Sequence, residues 1–479
     1  MIARIVLSGI ALVACFASTL EAAEGNKLPK IRVAADGRTF QTENGQPFVL
    51  TGINYFRPDT GWAPHIWKKF DPAIFRDDCK RLKDSGANCI RVFLTYASFM
   101  TKKGEVDPEG LQKFDQFLDI AEEHGIYVYS TGPDHWEGGG QFGSTWADRY
   151  TSEEIIQETC AFWRVFAKRY KGRNVIFAYD LLNEPCVPWK HGMKPHWNAW
   201  LAKKYPSPEK LAESWGVPAS SIAWGNCETP DEDPSKSTRQ QILDYQHCRE
   251  ALGLRWTRLQ AEAIKEVDPD ALVSVGLVQW SVPYTPGQSL QYTTGFRPSQ
   301  IAEYLDFMDI HFYPLATGFL EYHDQEAMTK NLAYIECLAR EIARFGKPAI
   351  IGEFGWYGGG QLKNTHQERP AASEEDHADY CAAVIETTKG IATGWLNWGY
   401  YDVPVAMDIT ELLGLLKPDG TEKEWNKRFR KIAAELSGKK IPERNVGYRP
   451  ELDWDLLLSV PEARQGFRDE YTKAFEASR

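Results

Sequence analysis

Apolar runs of strand length alternate with helix-length amphipathic stretches along this chain of 479 residues, and that rhythm leaves few folds open. The runs are Val49 to Asn54, Ala87 to Leu94, Ile126 to Ser130, Val175 to Leu182, Leu272 to Leu277, Phe307 to Phe312, Ala349 to Phe354 and Gly394 to Trp398. Strands apolar on both faces suit a parallel sheet covered by helices. Eight such units match a closed (β/α)8 TIM barrel rather than an open doubly wound sheet. The helix starts are written in side-chain chemistry. Asp71-Pro72 and Asp107-Pro108 each give an N-cap followed by proline at the first helical position. Leu111, Phe114, Leu118 and Ala121 share one face of the second helix. Thr151 and Glu154 read as a capping box for the third, and a later helix is expected around Asn331 to Phe345. Ahead of the first strand, Asp36-Gly37 and Asn44-Gly45 mark tight turns of an N-terminal hairpin. The rhythm breaks after the fourth strand, where 186–238 forms an insertion: either a helical pair packing its aromatic rings on the barrel, or a wall across one end of a groove. The last barrel helix ends before a tail, 440–479, with one further helix at Glu462 to Glu476.

The first residues have the layout of an export signal: Arg4, an apolar stretch from Ile5 to about Leu20, then Ala22 and Ala23. This predicts a signal peptide over 1–23, a barrel over 24–439 and a secreted or periplasmic protein. Leu12-Val13-Ala14-Cys15 offers the alternative of a lipobox, with Cys15 as the anchor of an outer-membrane or cell-surface lipoprotein. In an oxidising compartment the other cysteines can pair; Cys186 with Cys227 is one expectation, and Cys79 with Cys89 another, though buried free thiols account for the second pair equally well. A formal charge of -11 argues against nucleic acid or an anionic membrane as partner, and no motif points to a protein partner. The 17 tryptophans and 21 tyrosines favour a neutral ligand such as a sugar, whose C–H faces stack on flat rings, although most of these rings belong in a core. No Cys-x-x-Cys or His-Glu-x-x-His occurs, and His191 and His196 lack further ligands nearby, so neither metal nor cofactor is expected. Gly138 to Gly140 and Gly358 to Gly360 lack phosphate-loop spacing and read as mobile rims of a cleft.

Two glutamates end apolar runs: Glu184 in Ala-Tyr-Asp-Leu-Leu-Asn-Glu-Pro and Glu353 in Pro-Ala-Ile-Ile-Gly-Glu-Phe-Gly. They lie far apart in sequence, so only barrel closure brings them together. One such glutamate alone is more often a structural ion pair; two at strand ends fit retaining glycoside hydrolysis, which needs a nucleophile and a proton donor about 5–5.5 Å apart.

Asn183-Glu184-Pro185 and Gly352-Glu353-Phe354-Gly355 resemble the fourth- and seventh-strand motifs of clan A glycoside hydrolases, closest to family 5, the cellulases and β-mannanases. The resemblance implies Glu184 as acid/base and Glu353 as nucleophile, with Asn183 holding the hydroxyl beside the reacting carbon. Arg91 matches the arginine that keeps the nucleophile ionised. In Asp309-Ile310-His311-Phe312-Tyr313-Pro314, His311 lies near the nucleophile and Tyr313 donates to it. Trp398 is implied as the floor of the reacting subsite, with Trp395 in reserve, and His135 as a substrate contact. Phe177 and Cys186 depart from the family pattern, and Trp197, Trp200, Leu201, Lys204, Tyr205, Leu211 and Trp215 look like the segment that follows the acid/base in clan A β-galactosidases. The expected activity is cleavage of β-1,4-linked polysaccharide, mannan slightly ahead of glucan. Two alternatives stand beside it: an exo-acting β-galactosidase or β-mannosidase, and a non-catalytic carbohydrate-binding barrel.

Overall fold

A computed structural model describes residues 27–60, 63–102, 105–134, 148–231, 233–284, 293–314, 324–365 and 369–479. The export segment with Cys15, the glycines 138–140 and His135 lie outside them. Eight parallel strands close on themselves in chain order: β1 (Leu50–Asn54), β2 (Cys89–Thr95), β3 (Tyr127–Asp134), β4 (Ile176–Asn183), β5 (Val273–Leu277), β6 (Met308–Phe312), β7 (Ala349–Phe354) and β8 (Gly394–Asn397). The seam is β8 on β1, paired from Gly394 with Leu50 to Asn397 with Ile53. β2 is buried along its whole length, as a strand between a filled barrel interior and a helical layer must be.

The helices follow from their caps. Asp71 accepts from the backbone N–H of Ala73 and Ile74 to start α1 (Pro72–Asp84), and Asp107 accepts from Glu109 to start α2 (Pro108–Glu123). The third cap differs from the expected Thr151 and Glu154. Thr151 ends a short helical turn, Asp148–Thr151, so Ser152 caps α3 (Glu153–Tyr170) through Ile155. In the insertion α4 (Lys194–Lys204) and α5 (Pro208–Trp215) form a pair. Trp197 stacks on Trp200 and Trp215 with centroids 5.7 and 6.0 Å apart and meets Tyr245 edge-on at 5.2 Å. Tyr245 belongs to α6 (Arg239–Val267), whose buried Asp244 accepts from Tyr205 Oη at 2.6 Å and Trp215 Nε1 at 2.8 Å. The insertion is therefore a helical pair clamped to the barrel's helical layer. α7 (Gln325–Ala343) starts six residues before Asn331, because Asp324 caps a first turn too polar to show apolar periodicity. α8 (Glu374–Thr388) and α9 (Glu424–Leu436) complete the ring. The tail holds α10 (Trp454–Ser459) and α11 (Pro461–Glu476) and packs on α7, where Arg449 pairs with Glu336 at 2.6 Å and Trp454 Nε1 donates to Glu341 at 3.0 Å.

The N-terminal end of the barrel is sealed by a three-stranded antiparallel sheet, Ile31–Val33, Phe40–Thr42 and Pro47–Phe48, one strand more than a hairpin. Phe40 meets Phe177 at 5.2 Å and Phe307 at 5.5 Å. Phe177, the departure from the family pattern, is thus a plug residue remote from chemistry. The expected disulfides do not form. Cys186, Cys227, Cys79 and Cys89 are all free thiols. Cys186 Sγ faces Val187 O at 3.7 Å, whereas Cys227 Sγ faces Ala223 O at 3.3 Å, each turned to its own stretch of chain.

Candidate active site

The C-terminal ends of β4, β6 and β7 bring Glu184, His311 and Glu353 together. One carboxylate oxygen from each glutamate and a ring nitrogen of His311 all lie within 4.8 Å of one another. Glu184 follows the last residue of β4 with φ at 46°, in the left-handed region, the one non-glycine residue there among those described. Such a backbone costs about 1–3 kcal/mol and is held here by the Glu184 N–H donating to Gly276 O at 2.8 Å. His311 Nδ1 lies 3.1 Å from Glu184 Oε1 and 3.5 Å from Glu353 Oε1. Burial, with Arg91 beside it, keeps this imidazole neutral well below its ordinary pKa. Its single proton belongs on Nδ1, facing the carboxylates; Nε2 has no hydrogen-bond partner among the described residues.

Glu353 is 3% exposed, and burial pushes its carboxyl up to about 6 against the pull of Arg91 and Tyr313. Arg91 Nη1 donates to Glu353 Oε1 at 2.6 Å, and the Tyr313 hydroxyl donates to Oε2 at 2.8 Å. Burial and the charges of Glu353 and Glu184 drive the Tyr313 pKa well up, so it stays a neutral donor. Gln279 fixes Tyr313 from behind by accepting its backbone N–H at 2.7 Å. Asn183 Oδ1 accepts from Arg91 Nη2 at 2.9 Å, which orients the amide.

Of the residues singled out in the sequence, Glu184, Glu353, Arg91, Asn183, His311 and Tyr313 share this one cluster. Trp398 stands next to it: its backbone N–H donates to Phe354 O at 2.9 Å, and its indole N–H to Thr410 Oγ1 at 3.2 Å. Trp395 points the other way, into the core, with Nε1 on Thr388 of α8 at 2.8 Å. His135 lies outside the described residues. Gly358 to Gly360, expected as a mobile rim, are pinned by backbone bonds to Leu412 and Ala372, and a Cβ at Gly358 would come within 2.5 Å of His377. Reading the sequence missed Asn54, Asp180 and Asp309, which are all fully buried around Arg91 and Glu353. The signal was present: an acid inside an apolar strand is rare unless something pairs with it. Asp309 also sits two residues before His311, on the same face of β6.

Two family models match. "Cellulase (glycosyl hydrolase family 5)" covers residues 41–208 and includes Glu184, whereas "Beta-galactosidase" covers residues 139–373 and includes both Glu184 and Glu353. The chain groups with the clan A glycoside hydrolases, near family 5. Among curated relatives, a β-xylosidase of Phanerodontia chrysosporium is 28% identical over 26% of this chain and 28% of that protein. A probable mannan endo-1,4-β-mannosidase A of Aspergillus flavus is 26% identical over 34% of this chain and 48% of that protein. The matches thus span less than half the length of these relatives. The exo-β-1,4-mannosidase Op5Man5 from Opitutaceae bacterium strain TAV5 shares the fold, with a TM-score of 0.58 at 19% identity over 85% of this chain and 62% of that one. Within clan A terms the geometry is selective. Inverting enzymes hold their carboxyl groups about 6.5–9.5 Å apart to admit a water, whereas oxygens within 4.8 Å leave room for direct attack by one of them.

Proposed function

We propose that this chain is a retaining glycoside hydrolase that cleaves β-1,4-linked polysaccharide by double displacement, acting inside mannan-type chains ahead of glucan. The spacing of the Glu184 and Glu353 carboxylates carries the reading. Glu353, ionised and held by Arg91 and Tyr313, attacks the anomeric carbon while protonated Glu184 gives its proton to the leaving oxygen. The C–O bond to the aglycone breaks as the ester to Glu353 forms. Glu184, now a base, takes a proton from water, and the hydroxide so generated releases the sugar with its configuration retained. Glu184 is suited to the shuttling role because its side chain is 29% exposed while that of Glu353 is 4% exposed. The Asn183 amide is the group for the neighbouring sugar hydroxyl, and Trp398 the platform beneath the ring.

Mannan leads because the run from Lys168-Arg169-Tyr170 to Asn183-Glu184-Pro185 resembles mannanases and because a curated endo-mannosidase is among the relatives. An exo-acting β-galactosidase is the second reading, favoured by the β-galactosidase model that runs through the whole insertion. Incubation with mannan, glucan and a panel of aryl β-glycosides, with sizing of products, separates the two. A ladder of oligosaccharides supports internal cleavage, monosaccharide alone supports the exo reading, and binding without turnover sinks both in favour of a carbohydrate-binding barrel. The same reading takes the protein as exported, and the intact mass of the mature chain distinguishes a free N-terminus near Glu24 from a lipid on Cys15.

A further inference from the structure

Glu353 does not have Arg91 to itself. Every N–H of the guanidinium is engaged: Nη1 with Glu353 Oε1 at 2.6 Å and Asn54 Oδ1 at 2.8 Å, Nη2 with Asp180 Oδ2 at 2.7 Å and Asn183 Oδ1 at 2.9 Å, Nε with Asp180 Oδ2 at 3.3 Å. Asp180 thus takes an edge of the fork and Glu353 a single N–H. Asp180 is itself fully buried and fixed by Gly276 N at 2.8 Å and Leu182 N at 3.3 Å on Oδ1, and by Thr131 Oγ1 at 3.0 Å on Oδ2. The chain keeps space for this pair: a Cβ on Gly276 would stand 3.0 Å from both Arg91 Nη2 and Asp180 Oδ2, and 2.8 Å from His311 Nε2.

We infer that Asp180 is a positioning residue for the reaction proposed above, holding Arg91 so that Glu353 receives one charged hydrogen bond and stays reactive as a nucleophile. The inference rests on that functional reading for its catalytic meaning. The groups facing Glu353 are Arg91 from β2, Asp180 and Glu184 from β4 and the loop after it, and Asp309, His311 and Tyr313 from β6 and beyond. His311 is neutral, Tyr313 is a neutral donor, and burial pushes Asp309 well above the ordinary carboxyl range. Arg91 is left as the cation, shared by Asp180 and Glu353. Burial raises the Asp180 carboxyl as well, against the pull of Arg91, the Gly276 N–H and Thr131. With Asp180 ionised by these partners, a second negative charge on Glu353 is more than the guanidinium can balance, so Glu353 is only partly stabilised and remains basic. Without that charge, the whole of Arg91 turns to Glu353 and the carboxylate becomes a weaker nucleophile. Removing the negative charge favours ionised Glu353, so its titration moves to lower pH.

Asp180→Asn keeps size and one acceptor while removing the charge. In carbon-13 NMR of protein labelled at glutamate carboxyls, with the Glu353 signal assigned by its loss in Glu353→Gln, the midpoint is expected to fall by about one pH unit. On a β-glycoside that the wild type hydrolyses, the acid limb of kcat/KM falls with it and kcat drops about tenfold. An unchanged midpoint overturns the inference, whatever happens to kcat. Should the wild type hydrolyse no β-glycoside, the functional reading fails while the NMR titration still decides whether Asp180 governs Glu353. If Asp180→Asn does not fold, Thr131→Val carries the test: loss of that donor makes Asp180 easier to protonate, so a smaller downward shift supports the inference and no shift overturns it.

Discussion

At one end of the barrel Phe40, Phe177 and Phe307 meet ring to ring around the strand starts; at the other, Arg91, Asp180, Asp309, Glu353 and His311 are as fully buried, yet polar or charged. Removing water from the rings stabilises the fold. Removing it from the charges costs several kcal/mol per ion unless partners replace it, which explains why each acid of the rim has fixed donors. The strained Glu184 backbone belongs to the same rim. The plug end holds the barrel closed, and the rim end draws on that stability to keep two carboxylates within reach of each other.

The sharpest way to break this division is to alter one residue at each end. If Glu353 is the nucleophile as proposed, Glu353→Ala should lower kcat/KM on an aryl β-glycoside by about 10,000-fold or more while the protein still melts cooperatively. Phe177→Ala should do the reverse. It opens a cavity in the plug and should cost about 3–5 kcal/mol in denaturant unfolding, with kcat per folded molecule unchanged. A large loss of kcat in Phe177→Ala, measured well below its melting point, would show that the two ends are coupled. A smaller effect is expected from Tyr313→Phe, about 10- to 100-fold in kcat, since one donor to Glu353 goes. Losing a hydrogen bond to the carboxylate also raises its pKa, so the acid limb should move upward in this variant, opposite in direction to Asp180→Asn.

The wild-type profile fixes the starting point. Burial pushes the Glu353 carboxyl up to about 6, and the proposed mechanism needs it as the anion, so kcat/KM should fall as pH drops through that value. For stability the sign is reversed. A carboxyl that binds its proton more tightly when folded favours the fold at pH below its ordinary value, 4.5, and that contribution disappears as pH rises through about 6. Unfolding of Glu353→Gln compared with wild type at pH 4 and pH 8 reads the difference.

Much of the barrel was legible because each strand is a short apolar run bounded by turn or cap chemistry, and such runs read the same alone or in the fold. Boundaries slipped where local signals overlapped: Ser152 displaced Thr151 because a helical turn already used the latter, and the polar start of α7 hid its first six residues. The glutamates were legible as strand-end acids in Gly- and Pro-flanked turns. Asp180 and Asp309 stood out as acids inside apolar strands, but their roles and that of Asn54 were not legible, because they arise from groups on other strands: Asp180 is held from β2, β3 and β5, and Asp309 by Tyr129 of β3 at 3.0 Å and Gly352 of β7 at 2.8 Å. Spacing along one strand carries no record of such partners. The cysteines misled for a related reason, since an oxidising compartment permits a disulfide but only geometry makes one.

All of this depends on Glu353 attacking the sugar directly rather than activating a water. Proton NMR during the first minutes of hydrolysis of a β-glycoside that the protein turns over resolves the anomer released before mutarotation. The β-anomer is expected first, with the α-anomer growing in later; an α-anomer formed first would mean inversion and would rule out direct attack by Glu353.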